Sequence, residues 1–160
     1  MNIEILKPFG PSIVKLKLPE KIIEEMNNYT EDVIKDNEKM NKLNWGEQLV
    51  GNVHQEFRLN VEFMQKIRWA EFLAEACQEW VSYERKINLK GFKIINSWIV
   101  RQFKNEYNPL HYHGGHISGV GYLKVPKNLG KHYQDKQNRD YRGGNLQLIH
   151  GSKMFLSHST

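Results

Sequence analysis

"NPLHYHGGHISGVGYLKVP" occupies residues 108–126. Three histidines, His111, His113 and His116, fall within six positions, and an apolar run closed by Pro126 follows them. In an extended chain residues two apart share a face, so His111 and His113 point together while Tyr112 points away. Two imidazoles on one face can hold a single divalent cation through their ring nitrogens, at about 2.0–2.2 Å. Gly114 and Gly115 free the backbone to turn or to admit a ligand. His116 follows across those glycines, so its direction is not fixed by spacing. Proton transfer without a metal, or three polar residues on a turn, are the competing readings. The clustering favours metal, since imidazole is the commonest metal ligand.

The surrounding sequence narrows the metal. Structural zinc takes four ligands, often cysteines, and Cys77 is the single cysteine of the chain. Imidazole and oxygen ligands with open positions suit non-heme Fe(II) better.

Outward from the histidines the chain reads as strands. "GFKIINSWIVRQF" (91–103) is rich in β-branched and aromatic residues. "HISGVGYLKV" (116–125) reads as a second strand, "GNLQLIHG" (144–151) as a third, and "KMFLSHS" (153–159) as the start of a fourth. Between them, residues 127–143 form a polar, charged loop. The N-terminal half differs. Residues 3–6 and 12–18 read as short strands separated by a turn with Pro8, Gly10 and Pro11. Pro19 opens a helix carrying Ile22, Ile23, Met26, Tyr29, Val33 and Ile34 at helical spacing, ending near Asn37 or Asn41. Residues 44–60 read as irregular, with Gly46 and Gly51 as punctuation. A second helix starts at Asn60, a good N-cap, with Trp69, Phe72, Leu73, Ala76, Cys77, Trp80 and Tyr83 on its apolar face.

Helices followed by strands predict a mainly β domain with N-terminal helices packed on one side. The whole chain, 1–160, reads as one domain: a helical and strand support over about 1–90 and a sheet portion over about 91–160. That sheet is expected to lack its C-terminal strands, or to have its open edge covered by a second copy in a homo-oligomer.

The bulk composition excludes several classes. Hydrophobic residues make up 39% of the chain, as in globular proteins, and no apolar run is long enough to span a bilayer. The N-terminus lacks the pattern of a signal peptide, and one cysteine fits a reducing, cytoplasmic setting. The net charge is +5, but the lysines are scattered, which argues against a nucleic-acid footprint.

Four segments resemble one family. "LVGNVHQEF" (49–57) is similar to the stretch that precedes the helix there. "INSWIVRQFKNEYNPLHYH" (95–113) resembles the Ser-Trp strand leading into the proximal metal motif. "SGVGYLKVP" (118–126) resembles a Ser-Gly-Val-Tyr-Tyr-Leu strand with its closing proline, and "GGNLQLI" (143–149) the Gly-Gly-x-Leu strand after it. These are features of the Fe(II)/2-oxoglutarate-dependent oxygenases, in particular the bacterial and phage 2OG-Fe(II) oxygenase group related to prolyl hydroxylases. The resemblance covers about residues 49–160.

The resemblance implies a double-stranded β-helix, a cupin-like jelly roll. It implies Fe(II), 2-oxoglutarate as small-molecule cosubstrate and O₂, with succinate as a product. The substrate stays open between a prolyl residue, another protein side chain and a small metabolite. His111 would be a metal ligand. His113 stands where the family has a carboxylate, so the pair is His111 with His113 or His111 with His116; Glu106 and Asp135 lie outside the motif. The distal histidine and the basic residue for 2-oxoglutarate are expected beyond Thr160, with His150 and His158 as weaker candidates for the third ligand. Tyr122 is the candidate cosubstrate contact, through its hydroxyl; packing in the barrel is its other reading. Trp98 reads as core. A cupin-like metal enzyme that does not use 2-oxoglutarate, and a non-catalytic jelly-roll module, are the alternatives.

Overall fold

The computed structural model describes residues 3–8, 10–127 and 146–150. The first two strands form a hairpin: β1 (Ile3–Leu6) pairs antiparallel with β2 (Ile13–Leu16), with Ile5 opposite Val14. Pro19 then lies at the N-cap of α1 (Glu20–Ile34), and its carbonyl accepts from Ile22 and Ile23. Proline suits that place because its missing N–H would have had no helical partner. The apolar stripe turns Ile22, Met26 and Val33 inward. Thr30 shares the buried face by donating its hydroxyl to the Met26 carbonyl at 2.8 Å.

The first helix stops earlier than its pattern suggests. Asp36 caps a separate helix α2 (Asn37–Leu43), its carboxylate accepting from the Glu38 and Lys39 amides. A local side-chain acceptor competes with continuing the first helix. Asn60 caps α3 (Val61–Lys66) as its residue type predicts, accepting from the Phe63 amide at 2.6 Å. The helix expected from Asn60 is two helices. Arg68 turns left-handed (φ 58°), and α4 (Trp69–Arg85) starts after it and ends against a second left-handed residue, Lys86 (φ 57°).

β3 (Gln55–Arg58) pairs antiparallel with β4 (Trp98–Arg101), setting Phe57 opposite Ile99 and Arg58 opposite Trp98. Opposed residues share a face. Phe57 and Ile99 therefore bury one face, while Trp98, Val100, Glu56 and Arg58 line the other. Ile99 joins Ile22, Met26, Leu59 and Ile67 in the main core, with Tyr29, Phe63, Met64, Trp69, Phe72 and Leu123 packed on it. The β1–β2 hairpin is tied to the far end of α4: Trp80 donates to the Ser12 hydroxyl at 2.7 Å, and Lys7 pairs with Glu84 at 2.8 Å. The stripe on α4 is core over Ala76 and Cys77, but Tyr83 at its end is exposed.

Strand is scarcer than the sequence patterns imply. Among the described residues helix outweighs strand, and the strands form two two-stranded sheets. The expected strand over 91–103 is realised only as Trp98–Arg101, and residues 116–125 are not strand. A strand needs a partner ladder as well as propensity, and the described residues offer 116–125 none. Leu123 nonetheless reaches the helical core, and the Gly121 Cα lies so close to Leu18 that an added methyl group would sit 3.4 Å from its Cδ1. The expected loop over 127–143, after Lys127, and the expected strand over 153–159 lie outside the described residues; of the expected strand over 144–151, residues 146–150 are described, exposed and not in strand.

A candidate metal centre

The site is built on the outer face of the β3–β4 ribbon. After β4 the chain makes a tight turn with Asn105 in the left-handed region, then runs back along residues 51–54. Asn52 and Tyr107 form an isolated antiparallel bridge, the Asn52 amide donating to the Tyr107 carbonyl at 2.8 Å. A Cβ on Gly51 would sit 2.2 Å from Asn108 Oδ1, so a larger residue there would displace the Asn108 side chain. The histidines follow directly.

Two of the three converge. His111 Nε2 and His113 Nε2 lie 2.8 Å apart. His111 Nδ1 lies 2.7 Å from the Pro109 carbonyl oxygen, which can only accept. That contact puts the His111 proton on Nδ1 and leaves Nε2 with its lone pair, so His113 Nε2–H is the donor of the pair. The His113 ring also stacks on Trp98, with centroids 5.7 Å apart and 5° between the planes. Trp98 is thus not merely core: it orients a candidate ligand, while Ser97 on the opposite face accepts from Trp69 Nε1 at 3.3 Å. Partial burial, and then the neighbouring His111, hold the His113 pKa below the ordinary histidine value. The ring is therefore kept neutral, the form that can ligate.

His116 is exposed and stands past Gly115, whose left-handed backbone (φ 97°) folds the chain beside Ile95. Among the described residues no three His, Cys, Asp or Glu side chains are grouped to hold a metal. His150 is exposed, and His158 and Asp135 lie outside the described residues. Tyr122 is 54% exposed.

A second cluster lies beside the pair, and sequence reasoning passed over it. The Glu106 side chain is 8% exposed. One of its oxygens accepts from the His54 amide and the His54 ring Nδ1–H, the other from the Phe103 amide at 2.7 Å. The Phe103 amide first, with His54 adding to it, holds Glu106 below the ordinary carboxylate range. Glu56, on the same ribbon face as Trp98, is 1% exposed, and its Oε2 has no hydrogen-bond partner. Burial, and secondarily Glu106, push its pKa up. His54 and Glu106 are 52 residues apart, so no local motif joins them.

Residues 96–155 match the model of the family described as "Putative 2OG-Fe(II) oxygenase". That span contains β4, the histidine loop and the "SGVGYLKVP" segment, and the match supports the relation to the 2OG-Fe(II) oxygenase superfamily. No curated protein and no solved structure matches the chain.

Proposed function

We propose that this protein is a non-heme Fe(II)- and 2-oxoglutarate-dependent oxygenase that hydroxylates a C–H bond, with His111 and His113 as two of its metal ligands. The jelly-roll arrangement and cytoplasmic setting expected from the sequence go with this reading. The carrying observation is the convergence of two Nε2 atoms at 2.8 Å inside the segment that matches the oxygenase family. The two imidazoles would hold a single cation through their ring nitrogens, and that donor type suits iron.

Bound Fe(II), with 2-oxoglutarate and O₂, would supply the oxidising chemistry. The chain's own residues do the rest. The Pro109 carbonyl fixes the His111 tautomer with Nε2 facing the cation, as a carbonyl behind a ligating histidine commonly does. Trp98 holds the His113 plane. His113 would ligate through Nε2 as its Nδ1–H tautomer. His116 stands in the same loop as the alternative second ligand, and Tyr122 as the hydroxyl for the cosubstrate carboxylate.

The test is turnover together with binding. Purified protein given Fe(II), ascorbate, O₂ and 2-oxoglutarate should release succinate, and His111→Ala should abolish both metal binding and succinate formation. Full iron occupancy in that variant would defeat the ligand assignment. Iron binding without succinate release would defeat the 2-oxoglutarate reading.

A further inference from the structure

We infer that Glu106 is a positioning residue for the histidine pair, acting through a clasp with His54; the inference rests on the metal reading above. The clasp joins two distant stretches. On one side are residues 51–54, which enter β3. On the other are residues 103–108, which leave β4 and end three residues before His111. Five contacts close it: both His54 donors on one Glu106 oxygen, the Phe103 amide on the other, the Asn52–Tyr107 bridge, and the close approach of Gly51 to Asn108.

The chemistry explains why the residue is a carboxylate. Three N–H groups from two segments converge on one side chain, and only an ionised carboxylate accepts at both oxygens without offering a donor. A glutamine in its place presents one NH₂ to an N–H, so one end of the clasp must open. The neighbouring Glu56, buried with an unpartnered Oε2, adds no second anionic demand while it carries its proton. The loop carrying His111 has few other anchors: Pro109, Leu110, Tyr112 and Gly114 are all exposed. Its position is therefore set mainly from its two ends, the clasp before it and the Trp98 stack on His113.

The experiment titrates Co(II) alone into the full chain and into Glu106→Gln, Glu106→Asp and His54→Gln. Binding is followed by the visible Co(II) spectrum, and folding by thermal melts. Outer partners of metal ligands typically contribute 10–100-fold in affinity. Glu106 acts one step further out, so about a tenfold loss is expected in Glu106→Gln. Glu106→Asp keeps both acceptors and recovers part of that loss. A metal-free readout accompanies it: long-range ¹H–¹⁵N spectra of the histidine rings should show the His111 Nδ1–H tautomer weakened in Glu106→Gln. If the unmodified chain binds Co(II) and Glu106→Gln binds equally well with an unchanged spectrum, the clasp has no positioning role. If affinity falls only in step with global unfolding, a purely structural role overturns the inference. If the unmodified chain binds no Co(II), the metal reading itself fails, and this inference with it.

Discussion

Replacing Trp98 with alanine separates a ligand that is held from one that is merely present. The indole and the His113 ring are stacked with 5° between their planes. Such a pair contributes about 0.5–1.5 kcal/mol beyond the area it buries, and freezing one rotamer-rich side chain on binding costs a similar about 0.5–1.5 kcal/mol. If the stack is what pre-orders His113, its removal transfers that cost to metal binding. At 1.4 kcal/mol per factor of ten, the Kd for Co(II) should rise about 2- to 12-fold. Trp98→Phe keeps a ring against His113 and should lose less. Co(II) titration against a chelator of known affinity gives the number. Circular dichroism confirms that each variant is folded at the temperature used, because Trp98 is half-buried and its truncation also loosens the fold. Unchanged affinity in Trp98→Ala would refute the reasoning, since His113 would then find its orientation unaided. A loss beyond about a hundredfold, on the scale of losing outer partners of a metal ligand, would refute it from the other side.

Two further outcomes test the frame around the site. Glu56 holds its proton more tightly in the folded chain than in the unfolded one, so its contribution to stability is intact below the unfolded pKa and falls as pH rises from there through the raised folded value. Urea denaturation at pH 4 and pH 7 should therefore show Glu56→Gln losing less stability over that interval than the unmodified chain; parallel losses would contradict the burial argument. Met26 is 3% exposed at the centre of the core, and Met26→Ala should cost about 2–5 kcal/mol in the same assay. A cost below about 1 kcal/mol would mean that α1 is not seated on the sheet as described.

The elements that local rules control were legible in the sequence. Alternation marked β1 and β2, Pro19 marked the start of α1, and Asn60 marked the start of α3. The misses have physical causes. Asp36 offers its carboxylate to two amides and starts a new helix, and nothing in the apolar spacing of α1 announces that choice. Arg68 adopts a left-handed conformation that only glycine would have signalled. Residues 116–125 have strand propensity, but propensity does not supply the partner a ladder needs. In the site, the His111 and His113 rings meet, although residues 111–113 are not in strand and the shared-face rule for extended chain is not what brings them together. The companionship of Trp98 and His113, fifteen places apart, and of His54 and Glu106, depends on how the ribbon and the returning loop close. Both are tertiary facts.

The two left-handed residues that bracket α4 carry one more consequence. Arg68 and Lys86 each hold a conformation that costs a side-chain-bearing residue about 1–2 kcal/mol. Both residues are exposed, and each turn is closed by a backbone hydrogen bond, from the Arg68 amide to the Gln65 carbonyl and from the Lys86 amide to the Ser82 carbonyl. Glycine at either turn would relieve the steric cost at a smaller entropic one. These are natural places to harden the scaffold.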